Sequence, residues 1–328
     1  MPTVPLRATT ADDLWYHWLP AVERLIAVPE EFREPVLDLA KAAQQLGTDE
    51  ALVESLVGAG LPADDTPEGL RLDYHDVMNL GLQAGLGCSL AELGERQCMR
   101  LAAGRPESWQ AARTTRIRLT ATCSVPDCRG TPPQPAAPAP RLFGGELDDW
   151  SPDLHQAGAV VATVTTRGRS DAPRTAAVRR IHDDLLAGLV CREYQYGWVP
   201  EALRALPATA AANRTVDCVV AAHLMREAAH EAGLRARTRR GFLLGLVGVE
   251  HAWTEVFEEG RWLPLDPVLA FLAQRHPASS IRFCDFTRGS VHNKVLAWDR
   301  SIEEALADHD CPSGGRVKVD CRQLPVAR

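Results

Sequence analysis

A cysteine, a histidine and an aspartate at positions 218, 251 and 266 stand in contexts that suit covalent catalysis. Thr215-Val216-Asp217-Cys218 opens a stretch with helical spacing, so the thiol of Cys218 is expected at a helix start. The unsatisfied N–H groups and positive dipole end of a first helical turn favour a thiolate, and then the oxyanion formed when sulfur attacks a carbonyl. His251 is placed to remove the thiol proton and return it to the leaving group, with Asp266 holding the ring tautomer and balancing the imidazolium. The product of such a set is an acyl-thioester on Cys218.

The elements needed to bring these residues together are legible nearby. The helix from Cys218 is expected to run to about Ala232, where Gly233 ends it. Cys218, Ala221, Ala222, Met225, Ala229 and Ala232 share one mostly small, apolar face that a sheet can approach closely. Arg240 to Val249 is apolar enough for a single central strand. His251 to Phe257 alternates, with His251, Trp253, Glu255 and Phe257 on one side of the strand. Glu258-Glu259-Gly260 supplies a turn, and Arg261 to Leu265 returns antiparallel, carrying Asp266 toward His251. Trp253 and Glu255 are candidates for a substrate groove, as is Trp198 in the aromatic stretch Tyr194-Gln195-Tyr196-Gly197-Trp198, for which core packing is the competing role. His223 and His230 fall on the opposite, partly exposed helix face. Arg235, Arg237, Arg239 and Arg240 form a basic cluster suited to salt bridges, with an anionic substrate or carrier as the alternative partner.

The remaining chain reads as follows. Residues 1–110 are expected to be helical, with segments at Ala11 to Trp18, Glu31 to Leu46 and, capped by Thr48, Asp49 to Val57. Ser89 and Glu92 have capping-box spacing and start a helix through about Ala103. Arg113 to Thr122 and Ala159 to Thr165 have strand character, separated by a proline-rich loop over 130–140. Thr175 to Leu189 is a helix with Ala176, Ile181 and Leu185 facing inward. The tail holds a strand at Lys294 to Trp298, a short helix at Ser301 to Asp308 and a strand at Arg316 to Val319, with no apparent chemistry.

Forty-three acidic against 36 basic residues give a net charge of -7, which argues against a nucleic-acid partner. The first residues lack a signal-peptide core, and the longest apolar run, Phe242 to Val249, is too short to span a bilayer, so no membrane association and a cytoplasmic location are expected. Nine cysteines cannot all pair within the chain, which suits a reducing compartment. Cys123, Cys128, Cys311 and Cys321 have the ligand chemistry of a zinc site without CxxC spacing. They are read as free structural cysteines, and no metal or cofactor is assigned.

The segment from about Thr175 to Phe271 resembles the transglutaminase-like superfamily, a papain-like cysteine fold. The resemblance is carried by Cys218 with the helix phrase Leu224 to Arg237, by His251-Ala252-Trp253-Thr254-Glu255-Val256, and by Gly260-Arg261-Trp262-Leu263-Pro264-Leu265-Asp266-Pro267. It departs from many members in having Val216 where they place glycine, two positions before the nucleophile. The resemblance implies an α+β fold, with an antiparallel sheet packed on the nucleophile helix. It divides the chain into a helical extension, 1–110, that could select substrate, and a catalytic domain, 111–328. It also implies that an upstream aromatic residue, here Trp198, assists the oxyanion. The reaction expected first is acyl transfer, forming an amide from an acyl donor, such as a carrier-protein thioester, and an amine acceptor, as in bacterial amide-forming relatives of secondary metabolism. A cysteine peptidase or amidohydrolase is the alternative, and a noncatalytic binding module a third class. Oligomeric state is not specified.

Overall fold

The protein is described from a computed structural model that covers residues 14–123, 125, 128–245, 248–276, 278–311 and 315–323. The architecture is α+β, and two compact units are distinguishable: residues 1–97 with 188–220, and residues 98–187 with 221–328.

In the first unit, side-chain caps start the helices. Asp38 accepts from Lys41 N to open Leu39–Leu46, and Asp49, rather than Thr48, accepts from Leu52 N at 2.8 Å to open Glu50–Gly58. Asp73 caps Tyr74–Ala84, and Ser89 with Glu92 forms the reciprocal box ahead of Leu90–Met99. The helix expected from Glu31 shrinks to Leu39–Leu46, because Pro35 denies a helical N–H and disfavours helical backbone at Glu34. The expected Ala11 to Trp18 helix begins outside the described residues; from Leu14 the chain is a π turn running into Leu19–Arg24. Between the helices lies a hairpin, Ala63–Thr66 with Gly69–Leu72, in a region expected to be wholly helical. Trp18, Leu46, Val53, Leu56, Leu72 and Leu80 form the buried centre. A two-residue parallel pair, Gln195–Tyr196 with Thr215–Val216, leads directly to Cys218.

The second unit contains two antiparallel sheets. The four-stranded one is built from β1 (Ala236–Leu244), β2 (Gly248–Glu258), β3 (Arg261–Leu265) and β4 (Val295–Ala297), in the order β3-β2-β1-β4. The apolar run expected to be one strand is therefore two: β1 ends at Leu244, and β2 begins at Gly248. The six-stranded sheet runs Gln134–Pro135, Ala307–Asp308, Gly315–Gln323, Arg113–Cys123, Ala159–Thr166 and Glu146–Pro152. Inward residues of both sheets, among them Ile117, Leu119, Val164, Phe242, Leu244, Leu296 and Trp298, share one core. Ser301 to Ala305 forms turns, not the expected helix, and is followed by Ala307–Asp308 in the sheet. Helix Ala176–Val190 buries Val178, Ile181, Leu185 and Leu189, while Ala176, its first residue and expected inside, is exposed.

The helix Cys218–Glu231 ends at Gly233, whose φ of 73° is a left-handed conformation that glycine adopts at little cost. Ala221, Ala222, Met225 and Ala229 form its buried stripe, while Ala232 is exposed. His223, expected at the surface, is buried with Nδ1 3.7 Å from Glu303, whereas His230 is exposed. One polar contact fixes the helix to β2: the Thr254 hydroxyl donates to the Ala222 carbonyl at 2.6 Å, both fully buried. Replacing Thr254 by Val keeps the shape but removes this donor, and should lower unfolding free energy by about 1–3 kcal/mol, read from denaturant midpoints.

Candidate functional site

Cys218 is the first residue of its helix and is half-buried. Asp217 immediately before it is the cap: Oδ1 accepts from Val219 N at 3.0 Å and Val220 N at 2.9 Å. The negative charge this places beside the sulfur is met by Arg204, whose guanidinium pairs with Asp217 Oδ2. A cap and its counter-cation thus organise the turn that presents the thiol. Arg204 was not legible as a partner, because it lies in a separate short helix, Glu201–Arg204, with no motif linking it to Asp217.

The approach to Cys218 is set by the parallel pair. Gln195 pairs with Thr215 and Tyr196 with Val216, and Gly197 N continues the ladder to Val216 O at 3.1 Å. Trp198 follows Gly197 directly, and Cys218 lies two residues beyond Val216, where the helix begins. Asn79 holds that loop by exchanging two hydrogen bonds with Trp198: Trp198 N donates to Oδ1 at 2.6 Å, and Nδ2 donates to Trp198 O at 3.0 Å. Gly197 is needed there because a Cβ would collide with the Asn79 side chain. The Trp198 ring is 38% exposed and meets Tyr74 edge-on, so it is not a core residue.

In the second unit, β2 carries His251 and the chain leaving β3 carries Asp266. Asp266 Oδ2 is 2.6 Å from His251 Nε2. Its other oxygen, Oδ1, accepts from Leu269 N at 3.0 Å and caps the helix Pro267–Arg275, with Pro267 in the first turn where its missing N–H costs nothing. Asp-Pro here starts a helix as well as ending a strand. Asp266 N donates to Thr287 O at 3.1 Å, so backbone and both carboxylate oxygens are fixed. His251 and Asp266 are both buried.

Trp253 stacks at 26° to the His251 ring, with centroids 6.2 Å apart, and packs against Phe143. It is buried, and its indole Nε1 has no hydrogen-bond partner. Glu255, also buried, is engaged: Oε2 accepts from Arg237 at 2.7 Å and from Arg239 at 3.1 Å. Arg239 reaches Asp299 at 2.6 Å, Arg240 pairs with Glu250, and Arg235 lies over the Phe257 ring. The basic cluster is thus a set of salt-bridge and ring partners. Glu258, expected to be ordinary turn acidity, is buried and accepts backbone N–H bonds from Arg174 and Thr175, both at 2.8 Å. Burial raises its pKa, and these two bonds, with the Thr175 hydroxyl and the Arg261 charge, more than reverse the effect, leaving it below the ordinary glutamate value.

One of the buried histidines, His292, went unnoticed in the sequence. His292 follows Val291 in a segment without strand periodicity, yet it is buried, and its protonation responds to both His251 and Asp266. Burial drives its pKa down to about 3, with Asp266 opposing and His251, Lys294 and Arg113 reinforcing the fall. Its Nδ1 accepts from Lys294 N at 3.1 Å, which places the ring proton on Nε2. Among metal-ligating groups, the described residues hold one cluster, Cys123, Cys128, His309 and Cys311; Cys321 is not a member, and burial lifts its thiol to about 11.

Comparison with known proteins agrees with the fold. Residues 160–267 match the family described as the transglutaminase-like superfamily. The match contains Cys218, His251 and Asp266, and ends at Pro267. A solved structure from Cytophaga hutchinsonii, described as a candidate cysteine protease, is similar over 66% of this chain and 93% of that one, at 12% identity and a TM-score of 0.33. No curated protein matches. The matched segment is similar to the transglutaminase-like superfamily, and its cysteine and histidine are consistent with a cysteine-dependent centre. No helix among the described residues is long and apolar enough to cross a membrane.

Two predictions follow from the electrostatics. Asp217→Ala should cost roughly 1 kcal/mol from the lost cap, measurable as a lower denaturant midpoint. His292 stays neutral in the fold but protonates when unfolded, so its contribution to stability is present above about pH 6.5 and is lost as pH falls toward about 3. The slope is up to about 1.4 kcal/mol per pH unit, so wild-type midpoints should fall more steeply with acid than those of His292→Gln.

Proposed function

We propose that the chain forms an acyl-thioester on Cys218 and resolves it with water, as a cysteine peptidase or amidohydrolase. The observation that carries this reading is the 2.6 Å contact between His251 Nε2 and Asp266 Oδ2. With the Nε2 proton directed at the carboxylate, Nδ1 is the basic nitrogen. Nδ1 takes the Cys218 proton, sulfur attacks the substrate carbonyl carbon, and the carbonyl electrons move onto oxygen. Collapse of that adduct expels the amine, which leaves with the proton from Nδ1. Water, deprotonated at Nδ1, then attacks the thioester, releasing a carboxylic acid and restoring the thiol.

The oxyanion is assigned to the Cys218 backbone N–H and the Trp198 indole. The pairing of the two segments that lead to Trp198 and to Cys218 supports this, and Val219 and Val220 N–H are already taken by Asp217. Trp253 stacks on His251 and is assigned to holding the ring's plane.

Glu255 bears on what resolves the intermediate. It is the acid on the His251 face of β2, and its sequence position made it a candidate for the substrate groove. Two arginines neutralise it, which favours water over a bound amine acceptor. Transfer to an amine, with a carrier-protein thioester as donor, is the competing outcome of the same intermediate.

Intact-mass measurement with candidate acyl thioesters and amides should show one acyl addition on the wild-type chain and none on Cys218→Ala; unchanged acylation of that variant would remove the assignment. His251→Ala should lower kcat/KM by roughly 100-fold or more. Asp266→Asn should retain the helix cap and the fold while losing rate. Wild-type turnover in both variants would exclude the triad. Product analysis with and without added amine separates carboxylic acid from amide.

A further inference from the structure

We propose that Cys123, Cys128, His309 and Cys311 bind one zinc ion in a closed, structural Cys3His site. Their ligand atoms all lie within 4.8 Å of one another. A tetrahedral zinc with bonds of about 2.3 Å to sulfur and 2.0–2.1 Å to nitrogen separates a sulfur from a nitrogen by about 3.6 Å. Cys128 Sγ and His309 Nε2 are 3.6 Å apart. Three thiols and an imidazole converge from two chain segments remote in sequence, 123–128 and 309–311, a gathering that core packing alone does not require.

The surroundings suit a metal. The His309 side chain is completely buried, and its Nδ1 has no hydrogen-bond partner. Asp310 Oδ1 lies 3.6 Å from that nitrogen, beyond hydrogen-bond distance but on the side opposite Nε2. A carboxylate behind a ligating imidazole fixes its tautomer and aims the other nitrogen at the metal. Asp310 also accepts from Thr131 N at 2.9 Å and Thr131 Oγ1 at 3.0 Å, tying the loop after Cys128 to the one bearing His309 and Cys311. Calcium and magnesium require oxygen ligands, whereas three thiolates and an imidazole in a closed tetrahedron select zinc.

Binding converts three thiols to thiolates and releases three protons, leaving a site of net charge minus one. Cys123 ends the strand Arg113–Cys123 and pairs with Gly315, the first residue of Gly315–Gln323. The ion would therefore clamp the end of the six-stranded sheet where these strands meet. None of the four ligands belongs to the proposed catalytic set, so this site is independent of that reading.

The test uses the full-length chain, purified under reducing conditions with zinc supplied. Elemental analysis should find one zinc per chain in the wild type and in Cys321→Ser, and at least about tenfold less in Cys128→Ser and Cys311→Ser. Cobalt(II) added to the metal-stripped wild type should give the visible bands of a tetrahedral site with thiolate-to-cobalt charge transfer. This reading also decides the matter if the ligand variants fail to fold. Wild-type protein that retains no zinc and gives no tetrahedral cobalt spectrum would overturn the proposal. So would a mass two daltons low from a disulfide among Cys123, Cys128 and Cys311, or unchanged zinc in a folded Cys128→Ser.

Discussion

The carboxylate of Asp266 is the constraint on which the candidate centre depends. One oxygen closes the first turn of Pro267–Arg275 and the other faces His251. Capping a helix and orienting an imidazole are usually separate tasks for separate residues. Combined in one side chain, they make the position of the histidine a property of the helix, because the carboxylate cannot rotate toward one partner without abandoning the other. Thr287 O, receiving the Asp266 N–H, removes the remaining backbone freedom. The short strand β3 thus delivers a residue whose geometry is held from three sides.

A similar economy operates at Cys218. Asp217 caps the helix with one oxygen and binds Arg204 with the other. The arginine meets the charge of a cap that adjoins the candidate nucleophile, without occupying the helix end. Both ends of the proposed chemistry therefore rest on an aspartate at a helix start, one beside the thiol and one behind the histidine. In each case, helix capping supplies rigidity for a residue with a second use.

The order of Cys218, His251 and Asp266, the alternation through Trp253 and Glu255, and the return through Arg261–Leu265 are periodic or turn-defined features, and were legible as such. What escaped were partnerships between segments far apart in sequence. Asn79 with Trp198, Arg204 with Asp217, and the burial of His292 depend on tertiary packing that leaves no local pattern. The boundary between β1 and β2 was hidden by an apolar run that reads equally well as one strand or two. The hairpin Ala63–Thr66 with Gly69–Leu72 was hidden because its strands have four residues each and the first is mostly polar. Residues 188–220 group with the first residues of the chain, a pairing no linker composition marks. The Cys123 and Cys311 regions were legible as thiols but not as neighbours, and His309 gave no signal in an apparently featureless tail.

The strand Gly315–Gln323 lies inside the six-stranded sheet, bonded along its length to Arg113–Cys123 and also to Ala307–Asp308. During synthesis, Arg113–Cys123 leaves the ribosome long before this partner exists, and can pair only with Ala159–Thr166 on its other side. One edge of a core strand therefore waits, exposed, through translation of nearly the whole second unit. Such edges template wrong pairings, and late non-local closure slows folding. The charged residues alternating along it, Arg116 and Arg118 among them, are suited to discouraging association with other chains during that interval.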